Sequence, residues 1–284
     1  MKDEHFEQQV GPQAPAQHDN LPHRALFSLP PIQVSASTDL AVLEMPAQKA
    51  VTGDVEIDAV LWLREVISTG QADLIAKAKE AVTRIRTPLK QLEKRYTDWI
   101  HRTSPGNFGA VLSAFDFADL DGLATRAAER ARRTHEAHAR FGDSLFDDTP
   151  AEQFCNETLA CVTTEGEELD AADVDMLFDV HCDQRPTTLA DCLHELTYWH
   201  ELYWMRDAVG DTGAGDESEQ VQAREDYVFR CLARISPRDA DEAAAVLTYL
   251  VESERMDRAH TTAILFNLIG KPKPYNPKEG DRDA

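Results

Sequence analysis

Nothing in this 284-residue chain approaches the run of about 18 apolar residues needed to cross a bilayer. The first fifteen residues, MKDEHFEQQVGPQAP, are polar and acidic and lack the basic and then apolar regions of a secretory signal. A cytoplasmic protein with no membrane partner is the expectation. The five cysteines, Cys155, Cys161, Cys182, Cys192 and Cys231, are odd in number and form no C-x-x-C pair. That excludes a zinc knuckle or a thioredoxin-like redox motif and favours reduced thiols. Sustained period-two alternation of β-branched residues is missing too, which argues against strands. There is no G-x-S-x-G elbow, no Cys–His signature and no dinucleotide fingerprint.

What the chain has is helical periodicity and an uneven distribution of charge. The net charge is −22. Residues 1–52, 53–104, 105–141 and 221–284 carry −3, +1, 0 and −1, whereas residues 142–220 hold 21 acidic and only 2 basic side chains. Residues 1–52 contain six prolines and no periodic apolar order, so they read as a disordered tail. Asp54 or Asp58 can cap a helix ending at Gly70, and a second pattern from Ala72 to His101 should break at Pro88. A short helix is expected over Phe108–Phe115 and another from Asp119 or Asp121 to about Arg140. Thr149, Pro150 and Glu152 spell a capping box. Short helical patterns follow at 150–163 and 174–180, then helices over 189–209, 220–235, around 247 and at 261–269.

The segment Leu189–Val209 is the most aromatic of these. Leu189, Cys192, Leu193, Leu196, Trp199 and Tyr203 form one apolar stripe, and Tyr198, Leu202, Met205 and Val209 a second, so this helix should be packed on two sides. An echo at an offset of 51 residues, LTYWHE at 196–201 and LTYLVE at 247–252, hints at two stacked helix hairpins. The expected fold is all-α: a multi-helix bundle or short helical-repeat stack. It has a disordered tail (1–52), a mixed-charge helical region (53–141), an acidic helical region (149–270) and a flexible tail (271–284).

Candidate chemistry is sparse. His194, Glu195, His200 and Glu201 look like metal ligands, but the two histidines are six apart and point to opposite sides. His194 and Glu201 share a face, and His181 or Asp191 could complete a site; an acid–base or metal-dependent enzyme is the alternative this leaves open. Asp116, Asp119 and Asp121 before Gly122 lack the first and twelfth ligands of a calcium loop and suit helix capping better. Gly210–Gly215 lacks the Lys-Ser/Thr of a phosphate loop. No cofactor is implied.

The basic side chains at 77–102 and 126–140 are matched by local acids, so ion pairing is preferred to direct nucleic-acid binding. Trp199 and Trp204, five apart, should anchor opposite sides of their helix, and an exposed one would be a partner-binding anchor. The acidic stretch is the feature that asks for a function. Rigid carboxylates can imitate the phosphates of a nucleic acid and steer a basic partner. The expectation is a non-enzymatic interaction protein that binds a basic protein, of the kind that itself binds nucleic acid, as an inhibitor or regulator. Its contact residues would be Glu165, Glu167, Glu168, Asp170, Asp173, Asp175, Asp179 and Asp183. A structural subunit of a larger assembly is the remaining alternative.

Overall fold

The computed structural model describes residues 18–33, 45–106, 114–161, 170–210 and 217–271. Among the described residues there are eleven α-helices and no strand. They are α1 (Leu21–Leu26), α2 (Val55–Ser68), α3 (Ala72–Val82), α4 (Leu89–Thr103), α5 (Leu120–Phe141), α6 (Pro150–Leu159), α7 (Ala171–Asp179), α8 (Leu189–Val209), α9 (Glu219–Arg234), α10 (Ala240–Glu252) and α11 (Thr261–Leu268). The expected helix at Phe108–Phe115 lies largely outside the described residues. No described helix is long and apolar enough to cross a membrane.

The chain divides into two compact units. One comprises Pro30–Phe146 and Trp204–Gly215; the other comprises Met1–Leu29, Asp147–Tyr203 and Asp216–Ala284. The two units differ strongly in charge. The first unit carries 16 basic and 18 acidic side chains, net −2; the second carries 13 and 33, net −20. They are called the near-neutral and the acidic unit below.

In the near-neutral unit, α2 starts where the sequence says it should. The Asp54 carboxylate accepts from the backbone N–H groups of Glu56 and Ile57, satisfying donors the helix leaves over. Asp58 instead folds the preceding turn back, accepting from the amides of Val51, Thr52 and Gly53. α3 stops at Val82, ahead of the break expected at Pro88, and the proline stands at the N-cap of α4, where no helical N–H is needed. One apolar cluster joins Ile57, Val60, Leu92, Tyr96, Ile100 and Phe117; a second joins Leu63, Val66, Ile67, Ala78, Leu120 and Ala124. Gly70 ends α2 with φ +72°, and a Cβ there would meet the Ala127 carbonyl oxygen and the Ala131 methyl at 2.6 Å. This glycine therefore lets α5 approach the backbone directly. Several basic side chains of this unit are tied locally. Arg95 pairs with Asp54, Lys79 with Asp121, Arg84 with Glu80, and Lys90 with Glu93.

In the acidic unit the apolar core runs through Leu159, Val174, Phe178, Leu189, Cys192, Leu196, Tyr227, Val228, Leu232, Val246, Leu250 and Ile264. Thr149 and Glu152 make the capping box reciprocally at the start of α6. The 51-residue echo has a structural counterpart. Thr188 caps α8 and Asp239 caps α10, and three residues on, Asp191 and Glu242 each accept amides from the chain entering the helix. Glu242 also accepts from the backbone of Ala190 at 2.9 Å, so the two helix starts are joined.

Within the proline-rich stretch read as tail, residues 18–29 are docked on this unit. The six-residue α1 is far too short to persist alone. Asn20 holds it by donating from its backbone to Asp191 and from its side chain to the carbonyls of Cys182 and Arg185. Thr187 donates to the His18 carbonyl, and Arg24 bonds Asp191 at 2.7 Å. Phe27 is fully buried against Phe154, Tyr198 and Trp199. Burial of one such ring contributes about 2–3 kcal/mol, a small part of the entropy of ordering the segment, so the hydrogen bonds and ion pairs to Asp191 and Glu195 are needed as well.

Candidate functional site

The polar centre of the acidic unit is a buried network around Glu195, nearly two turns after the start of α8. Arg224 of α9 grips Glu195 with two parallel bonds, Nε to Oε1 at 2.7 Å and Nη2 to Oε2 at 2.8 Å. His23 donates from Nε2 to Oε2 at 2.7 Å, and Trp199 from Nε1 to Oε1 at 3.3 Å. His23, Glu195 and Arg224 are all completely buried. The Arg224 guanidinium also donates to the Gln184 carbonyl and lies within 4.7–5.5 Å of the ring centres of Phe27, Phe154, Phe178 and Tyr227. Burial pushes the Glu195 carboxyl up, but the Arg224 charge and the bonds from His23 and Arg224 outweigh it, leaving the group below its ordinary value. An ion pair this deep is sustained by geometry: bidentate bonds, a ring cage and no route to water.

The sequence candidates for chemistry separate in space. Glu195 is spent on Arg224. His194 turns towards the docked segment, with Nε2 at 3.1 Å from the Arg24 carbonyl and 3.3 Å from Ser28 Oγ. Asp191 receives the entering backbone and Arg24; burial raises its carboxyl, and the Arg24, Asn20 and Thr187 bonds bring it below its usual value. Among the described residues no group of three His, Cys, Asp or Glu is placed to hold a metal ion. Cys155, Cys192 and Cys231 are buried, and burial raises each thiol well away from reactivity, while Cys161 and Cys182 are exposed.

The proposed acidic contact residues also separate. Glu165, Glu167 and Glu168 lie outside the described residues. Asp170 caps α7 by accepting from Ala172 and Asp173. Asp175 is bonded by Arg230 and paired with Arg234, and Asp179 accepts from the Tyr227 hydroxyl at 2.7 Å. Asp173 and Asp183 are exposed. The network that sequence reasoning missed is signalled only by Arg224 lying in an otherwise apolar stripe, between Val221 and Tyr227–Val228.

Seven described arginines of the acidic unit share one habit, and Arg185, which is exposed, stands apart from them. Arg24, Arg224, Arg230, Arg234, Arg238, Arg255 and Arg258 each pair with carboxylates of the same unit. Asp147, Asp148, Glu157, Asp170, Asp173, Asp183 and Glu219 stay on the surface. On α7, Asp173, Met176 and Val180 recur at intervals of three and four and form one exposed face, acidic and apolar together. Comparison of the chain with protein-family models, with curated proteins and with solved structures returns no match.

Proposed function

We propose that the protein is a non-enzymatic interaction protein whose acidic unit captures a basic protein surface, of the kind that otherwise holds nucleic acid, and so inhibits or regulates its partner. The observation that carries this reading is the fate of the charges. A unit of net −20 draws seven of its arginines into internal pairs and leaves carboxylates exposed, so its field is negative. Such a field speeds encounter with a cationic surface and weakens with salt, because exposed charges are screened beyond about 10 Å at 0.1 M. The face of Asp173, Met176 and Val180 adds apolar area that a merely solubilising surface does not need.

The test uses Glu165→Gln, Glu167→Gln, Asp173→Asn and Asp183→Asn together, sparing the Asp170 cap and the paired Asp175 and Asp179. Basic nucleic-acid-binding proteins retained by the immobilised chain at low salt should be released by moderate salt, by competing duplex DNA and by the fourfold variant. Retention that the variant leaves unchanged, with its helical content intact, would sink the reading.

A further inference from the structure

We infer that the near-neutral unit carries a binding site for a small molecule that joins a planar ring to a single acidic group. The site is a cavity of about 520 Å3 lined along α5 and the last turns of α8, a size within the range of small-molecule pockets. Its floor is Trp204, whose side chain remains 39% exposed although Trp199, five residues earlier on the same helix, is buried. The Arg133 guanidinium lies 4.9 Å from the Trp204 ring centre. The indole is thereby held in one orientation with part of its surface exposed in the cavity, where a second ring can pack against it.

The walls supply the sign of the charge. Among the described lining residues three are cationic, Arg126, Arg130 and Arg133, and two are anionic, Glu129 and Asp207. Glu129 is already engaged: Arg132 and Arg133 bond it and hold its carboxyl down at about 2. Arg130 is engaged as well, donating to the carbonyls of Ala208 and Gly210, which fixes the end of α8 as the far wall. Two donors are left over. Arg126, 58% exposed, is ion-paired with Asp116 and Asp119 at 3.6 and 3.8 Å, too long for hydrogen bonds, so among the described residues its guanidinium has no hydrogen-bond acceptor. Arg133 Nη1 is shielded from solvent without a hydrogen-bond partner. An indole face beside unsatisfied guanidinium donors suits a ring with one carboxylate or phosphate.

The experiment is calorimetric titration of the full-length chain with indole-3-acetate and adenosine monophosphate, each set against its parts: indole and acetate, adenosine and inorganic phosphate. Saturable binding of either ring-bearing acid at up to about 1 mM, at least tenfold tighter than both of its parts, is the expected result. Arg126→Gln should weaken that binding about tenfold while leaving the affinity for indole or adenosine unchanged, since a charge-assisted bond is lost and stacking is not. Trp204→Ala should remove the ring contribution for both compounds. The inference is overturned if neither acid saturates, if phosphate or acetate alone binds as well as the ring-bearing acid, or if Arg126→Gln has no effect. Because Arg126 is exposed and caps nothing, a failure of that variant to respond cannot be laid to misfolding.

Discussion

Replacing Glu195 by Gln exchanges one oxygen for an NH2 group and tests what holds the acidic unit together. In the native chain the carboxylate answers two donors from Arg224, one from His23 and one from Trp199, all out of contact with water. A glutamine keeps one acceptor oxygen and turns its NH2 towards donors, so one Arg224 bond is lost in either orientation, together with the bond from Trp199 or from His23. Arg224 then stays buried with no counter-ion. The ring cage and the Gln184 carbonyl remain, so the loss should not exceed the usual cost of orphaning one partner of a buried pair, about 3–5 kcal/mol. With a urea slope of about 2 kcal/mol/M the midpoint falls by about 2 M. The readout is unit-specific: Cys155, Cys192 and Cys231 are buried in the acidic unit, so their labelling, after Cys161 and Cys182 are blocked, follows the unfolding of that unit alone.

The pH arm has a definite sign. The folded Glu195 titrates below its ordinary 4.5, so its contribution is complete above that value and is lost as pH falls through the lower folded value. The Glu195→Gln chain should lack that acid-side component. Replacing both partners, Glu195→Leu with Arg224→Met, removes the orphaned charge and should be less damaging than Glu195→Gln alone. A midpoint for Glu195→Gln within about 0.5 M of the native chain, or roughly 1 kcal/mol, would refute the reasoning.

Two further outcomes follow from single residues. Gly70→Ala combines a left-handed backbone with contacts at 2.6 Å to Ala127 and Ala131, so it should cost about 2–4 kcal/mol and lower the melting temperature measured by circular dichroism by several degrees; an unchanged melting temperature would mean that α5 is not seated on this glycine. Glu217 is pushed up to about 7 first by burial and then by Glu225, so the folded state binds its proton more tightly than the unfolded chain. Its contribution is therefore full below the ordinary 4.5 and is lost as pH rises through 7. Glu217→Gln should stabilise the chain by about 1 kcal/mol at pH 8, after allowing for screening by solvent, and by nothing at pH 5; equal effects at both pH values in chemical denaturation would contradict this.

Helix positions were legible because periodicity, caps and prolines act over a few residues. Asp54, Thr149 with Glu152, and Asp119 make the caps their spacing announces, whereas the helix expected to run on to Pro88 stops at Val82 and the proline stands at the N-cap of the next helix. The two-sided packing of α8 was readable from its double stripe, although Tyr203, assigned to the first stripe, is at the surface. The docking of residues 18–29 was not readable. Its partners, Asp191, Glu195, Cys182 and Arg185, lie more than 160 residues away, and nothing local in NLPHRALF distinguishes a docked segment from a loose one. The acidic candidates show the same boundary. Asp173 and Asp175 are identical in sequence character, yet one is exposed and the other is bonded by Arg230.

The sequence by itself determined the all-helical architecture, the helix starts and stops and the surplus of acid over base, because each depends on neighbours within a turn or on composition. Only the tertiary structure decided which carboxylates face solvent, that Glu195 is half of a buried pair rather than a ligand, and that Trp204 lines a cavity while Trp199 fills a core. Those outcomes depend on which side chains from distant segments arrive beside them, and burial and ion pairing are properties of that arrival.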